Sequence, residues 1–158
     1  MKTLDTVIGE GFSSPIFQCG DGRVTFLADM DIDVDGSGDS HGDPYFQPDT
    51  TLHYNGKPLN SDVDYFVVVP SQIRKLASGV VLGCLVRVTY NGHSVEAVVG
   101  DLGPTRKTGE ASRAVAKALG IDPSPINGGV DDPVVFYEIF PGKEARIYGQ
   151  AYPLVKAG

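Results

Sequence analysis

The run Val80–Tyr90, then Asn91-Gly92, then Ser94–Val99 constrains the fold more than any other stretch of this chain. Two segments of alternating apolar residues joined by Asn-Gly read as a tight β-hairpin, because both turn positions need positive φ and these two residues adopt it cheaply. Asn55-Gly56 makes a similar, weaker turn between Leu52–Tyr54 and Leu59. Short β-like runs also occupy Ile16–Gln18, Val24–Ala28, Thr51–Tyr54 and Tyr65–Val69, and Val134–Ile139 ends at Pro141-Gly142, with a final strand expected near Ala145–Ala151. With 20 glycines and 11 prolines in 158 residues, the pattern is that of a mainly β, loop-rich α+β domain, one unit spanning residues 1–158.

Helical signals are few. A short helix is expected over Gln72–Ala77, capped by Ser71 and stopped by Gly79. A principal helix is expected over Glu110–Leu119, where Ala111, Ala114, Val115, Ala118 and Leu119 make one apolar stripe. Arg113 and Lys117 fall on its outer face, and Gly120 and Pro123 supply the stop.

A net charge of −7 argues against nucleic acid, whose phosphates need a basic face. It suits cationic ligands, and equally it suits mere solubility. Cys19 and Cys84 match no metal motif; one disulfide and two buried free thiols are both open. The start MKTLDTVIGEGF lacks an apolar run of signal-peptide length, and no transmembrane segment follows.

Two carboxylates flank one glycine-rich loop. Asp101 follows the apolar strand Val95–Val99 within Gly100-Asp101-Leu102-Gly103-Pro104, and Glu110 opens the helix within Gly109-Glu110-Ala111-Ser112. Glycosidic cleavage needs such a pair, one to protonate the leaving oxygen and one to activate water or attack the sugar. Asp after a strand is also a common turn residue, and Glu in a first helical turn complements the helix dipole. On the residues alone both readings stand.

Asp29, Asp31, Asp33 and Asp35 alternate, with Asp39 and Asp43 beyond them. In an extended chain the first four share one face, where mutual repulsion calls for a cation. Asp31-x-Asp33-x-Asp35-Gly36 matches the opening of an EF-hand loop, but position twelve is Gly42 and no helix flanks it, so calcium is only one reading. A solvated polar loop is another.

Together the stretch Ala28–Gly36, the Gly100–Pro104 motif and Gly109-Glu110-Ala111-Ser112 closely resemble the fungal-type endo-chitosanases of glycoside hydrolase family 75. Val67-Val68-Val69-Pro70, Tyr90-Asn91-Gly92 and Ala116–Ile121 continue the resemblance in the same order, over about residues 15–140. Where such members often carry Cys, this chain has Val34. The same segment looks like double-psi β-barrel proteins: rare lipoprotein A, expansins and family 45 endoglucanases.

The resemblance implies a six-stranded double-psi barrel and a secreted, monomeric enzyme without a cofactor. It implies inverting hydrolysis of chitosan, with Asp101 and Glu110 as the catalytic carboxylates. Glu110 is expected as acid and Asp101 as base, provided burial or Asp101 outweighs the helix dipole at Glu110. Asp29, Asp31, Asp33 and Asp35 would meet the substrate ammonium groups, Asp31 and Asp33 above all. Tyr45 would stack on a sugar ring, and Gly103 would allow close approach. Arg106 and Lys107 would repel a cationic polymer if they faced it; solvent exposure or pairing with acidic neighbours is the other reading. The alternatives are an expansin-like module that binds polysaccharide without cleaving it, and a peptidoglycan lytic enzyme.

Overall fold

The computed structural model describes residues 1–9, 11–103 and 107–155. Pro104 and Arg106, named above, lie outside the described residues. Strands β1 (Lys2–Gly9) and β2 (Phe12–Gln18) form an antiparallel hairpin, and β2 leads into β3 (Val24–Asp33). A two-residue pair follows, β4 (His53–Tyr54) and β5 (Lys57–Pro58), then β6 (Phe66–Pro70), α1 (Ser71–Leu76), β7 (Cys84–Tyr90) and β8 (His93–Gly103). The chain ends with β9 (Glu110–Ser112), α2 (Arg113–Ala118), β10 (Val130–Ile147) and β11 (Gln150–Tyr152).

Strands β3, β9, β6, β8, β7 and β10 are neighbours in that order, and β10 pairs back onto β3. This closes a six-stranded barrel, so none of its six members offers a free edge. The barrel is mixed, as expected: β3–β9 and β6–β8 are parallel, and the other contacts are antiparallel. Strand period 2 then sorts the residues. Ala28, Met30, Ile32, Val67, Val69, Ala97, Val99 and Ala111 enter the main buried cluster. Phe66 and Val98, one step out of phase, join Leu52, Leu59, Leu85 and Ile147 in a second one.

Both Asn-Gly turns form as the sequence requires, with φ of 52° and 76° at Asn55-Gly56 and 50° and 80° at Asn91-Gly92. Elsewhere the expectations need correction. The segment Glu110–Ser112 is strand, not the start of a helix, because it pairs with β3 on one side and β6 on the other. The buried Ala111 fits either periodicity, and the sheet decides. The helix starts after Ser112, whose extended backbone (ψ 162°) and Oγ, accepting from Val115 N–H, make it the N-cap.

Ser71 lies inside α1; Pro70 precedes it and gives no side-chain cap. The long run before the hairpin is strand only from Cys84, and β4 reaches only His53–Tyr54. Pro141-Gly142 does not end β10: the ladder to β7 shifts register between Phe140 and Glu144 and resumes, a bulge that lets one strand serve both sides. Arg113 is not a free outer-face residue. Its Nε donates to Asp62 Oδ1 (2.7 Å) and its Nη1 to the Pro123 carbonyl (2.8 Å). Cys19 and Cys84 are both free thiols, and Val34 is buried in the core.

Candidate active site

Ladder register brings the acidic residues together. Asp31 of β3 lies opposite Glu110 of β9, Glu110 lies opposite Val68 of β6, and Val68 lies opposite Asp101 of β8. Paired residues share a sheet face, and since Met30, Ile32 and Ala111 point inward, Asp31, Glu110, Val68 and Asp101 point outward. A register shift between Val67 and Val68 puts Asp101 on that face: Val67 faces Val99 while Val68 faces Asp101, leaving Gly100 as the extra residue. Asp29, Asp31 and Asp33 follow the same alternation, as their spacing predicts.

The row borders a cleft of about 680 Å³. Asp31, Asp33, Asp35, Asp43, Glu110 and Asp131 line it, with Tyr45, Lys107 and the 124–128 loop. Of the residues expected at the site, Asp31, Asp33, Asp35, Tyr45 and Glu110 therefore face one cavity. Asp29, Asp101 and Gly103 do not line it. Asp29 is half-buried under the Gly109 backbone, where a Cβ would overlap its Oδ1; φ is 80° there as well, so only glycine fits. Gly103 lies behind Glu110: a Cβ there would sit 3.7 Å from Oε2 and 2.9 Å from Val68 Cγ1.

Asp101 is 8% exposed and Asp33 is 7% exposed. Asp101 Oδ1 accepts from Thr51 N–H (3.1 Å), Thr51 Oγ1 (2.9 Å) and its neighbour Leu102 N–H (3.0 Å). Asp33 and Asp101 bring carboxylate oxygens within 4.8 Å of each other. Burial of Asp33, and then the charge of Asp101, push its carboxyl up to about 9. Asp33 therefore keeps its proton near neutral pH. Asp33 Oδ1 also accepts from Asp35 N–H (2.9 Å), and Asp35 Oδ1 accepts from Gln47 N–H (2.8 Å).

Glu110 is set differently. Burial pushes its carboxyl up and Lys107 pulls it down, while Asp31 and Asp101 add to the rise, leaving it at about 6. It stands in a strand, so no helix N-terminus favours its ionised form. Burial likewise lifts Asp29 to about 7, with Asp31 assisting. Carboxyls of the EF-hand-like run diverge: Asp33 and Asp35 turn toward Asp101, their oxygens within 4.8 Å of one another, while Asp31 turns to Lys107. Asp31 stands outside that group, so the run does not present its three carboxylates together as an EF-hand loop does.

Sequence reasoning missed the seats of Asp131 and Thr51, while Lys107 pairs with acidic neighbours, one of the readings its sequence position allowed. Lys107 Nζ lies 3.4 Å from Asp31 Oδ2 and 3.8 Å from Glu110 Oε1; its i,i+3 spacing to Glu110 was the available signal. Thr51 gave none, since its 50-residue separation from Asp101 is closed only by the fold.

A closed mixed barrel whose outer face carries a carboxylate-lined cleft, with Glu110 near neutrality in it, suits a hydrolase acting on glycosidic bonds. The family described as fungal chitosanase of glycosyl hydrolase group 75 matches residues 30–156, and the chain belongs to it. It is thus a member of a glycoside hydrolase family. A search of curated proteins finds no match. Among solved structures, Streptomyces papain inhibitor (SPI) is similar, with a TM-score of 0.47 and 17% identity over 73% of this chain and 93% of that one.

Proposed function

We propose that the protein is an endo-chitosanase that cleaves β-1,4-linked glucosamine polymers with inversion, using Glu110 as general acid and Asp101 as general base. The observation that carries this reading is the placement of the two residues on one outer face, either side of Val68. Two strand spacings put their backbones roughly 9–10 Å apart, and inversion calls for carboxyl groups about 6.5–9.5 Å apart. A retaining pair stands at about 5 Å.

Glu110, held at about 6, gives its proton to the leaving glycosidic oxygen as the C–O bond breaks. A water attacks the anomeric carbon from the opposite face and loses a proton to the Asp33–Asp101 pair. Asp33, which lines the cleft, takes the water's proton on its unprotonated oxygen as it passes its own proton to Asp101. The family and the excess of carboxylates along the cleft support glucosamine, whose ammonium groups pair with them, as substrate.

Incubation with chitosan, chitin, carboxymethylcellulose and peptidoglycan, followed by mass analysis and NMR of the anomeric products, tests the reading. Chitosan alone should yield oligomers, initially as the α-anomer. Glu110→Gln and Asp101→Asn should each lower kcat by about 10²–10⁴; near-full activity in both would sink the assignment. Binding to chitosan without release of new ends would point to the expansin-like module instead.

A further inference from the structure

Among the described residues that line the cleft, Lys107 is the cation, set among six carboxylates. It does not spread its charge evenly over them. Its ammonium sits against Asp31 and Glu110, the two register partners of the β3–β9 ladder, at 3.4 and 3.8 Å. Burial works against its charge, but Glu110 and Asp31 outweigh it and raise its pKa, with Asp29 adding to the effect. Asp33, Asp35 and Asp43, also along the cleft, have no lysine or arginine ion pair among the described residues. The cleft therefore has a charge-compensated part and an uncompensated part.

A sugar unit feels the two parts differently. Over Asp35 and Asp43, a glucosamine ammonium supplies countercharge that a neutral N-acetyl unit cannot. Over Asp31 and Glu110 the countercharge is already present. A neutral unit can lie there with Lys107 in place. A glucosamine unit can also enter, since the lysine side chain is long and 48% exposed, and swings to water as one ammonium replaces another.

Building on the chitosanase reading, we propose that Lys107 is a specificity-determining residue that makes the subsite over Asp31 and Glu110 tolerant of N-acetylglucosamine, while the rest of the cleft demands glucosamine. The thermodynamic contrast is simple. With Lys107 present, glucosamine gains little over N-acetylglucosamine at that subsite; without it, glucosamine alone neutralises the exposed carboxylates.

The test is digestion of a partially acetylated chitosan of known composition, with both new chain ends sequenced by mass spectrometry. The wild-type protein should leave acetylated units at one of the two new ends and almost none at the other. Lys107→Met should deplete acetylated units at the tolerant end by about tenfold, the effect of one charge contact worth about 1.4 kcal/mol. Lys107→Arg, which keeps the charge, should leave the acetylated ends in place. Ends of unchanged composition in Lys107→Met would overturn the proposal, as would equal loss in Lys107→Arg. Absence of cleavage by the wild-type protein would instead refute the chitosanase reading itself.

Discussion

Glu110 owes its behaviour to burial first and then to the charges around it, and these set the pH profile. The acid must be protonated before it can donate, so kcat/KM should fall as pH rises through about 6. Lys107→Met removes the charge that holds Glu110 down, so the same descending limb should move to higher pH. A limb that stays in place would show that Lys107 does not act on Glu110. Thr51 is a different kind of residue, since it positions Asp101 rather than touching the sugar. Thr51→Val deletes the Oγ1 bond to Asp101 and the acceptor for Leu102 N–H, but keeps the Thr51 N–H bond. It should lower kcat roughly tenfold with KM little changed, the cost of about 1–1.5 kcal/mol for one hydrogen bond. A rise in KM with kcat intact would place Thr51 in substrate binding instead. The alternation of Asp29, Asp31, Asp33 and Asp35 was legible because period 2 decides a face wherever the chain is extended. The seat of Thr51 was not, because no local rule joins a residue to a partner across a barrel.

At the level of elements, the segment from Gly109 to Ala118 shows where periodicity misleads. Ala111, Ala114 and Val115 fall at helical spacing, yet Ala111 is a strand residue whose burial comes from neighbours on both sides. A three-residue strand carries too little sequence to announce itself. Ser112 makes the switch. It is fully buried, its Oγ donates to the Asp64 carbonyl (2.7 Å), and it accepts from Phe66 N–H (3.2 Å) and Val115 N–H (3.4 Å). Ser112→Ala therefore removes a helix cap and leaves Phe66 N–H without this partner. It should lower stability by about 2–3 kcal/mol in denaturant titration, and a loss below about 0.5 kcal/mol would count against this joint. One residue on, Arg113 ties α2 to Asp62 and to the Pro123 carbonyl, immediately before the loop that walls the cleft. The same few residues thus fix the strand that carries Glu110, the helix and the cleft wall.

For the molecule as a whole, the Asn-Gly hairpin foretold local antiparallel pairing, but closure depends on β3 meeting β10 across more than a hundred residues. Only the resemblance to known barrels supplied that closure before the fold was in hand. What the closed barrel does to its charges can be tested directly. Asp33 titrates near 4 in an unfolded chain and at about 9 in the folded one, through burial and then Asp101. Between those values the folded protein keeps a proton that the unfolded chain has released, so the contribution is full below about pH 4 and is lost as pH rises through 9. Glu110 at about 6 and Asp29 at about 7 act with the same sign over narrower windows. Asp62 acts oppositely: burial alone would raise it, but His41 and Arg113 prevail and hold it below the usual range, so its contribution is lost in acid. The Tm should therefore peak in mild acid and decline toward pH 9. Asp33→Asn keeps the shape and a donor toward Asp101 while removing the largest of these titrations. It should raise stability at pH 8 by about 2 kcal/mol, roughly 4–8 °C in Tm for a chain of this size, and change it little at pH 4. Wild-type and Asp33→Asn curves that run parallel from pH 4 to 9 would mean that Asp33 keeps no proton near neutral pH, and the pair proposed as the base would have to be redrawn.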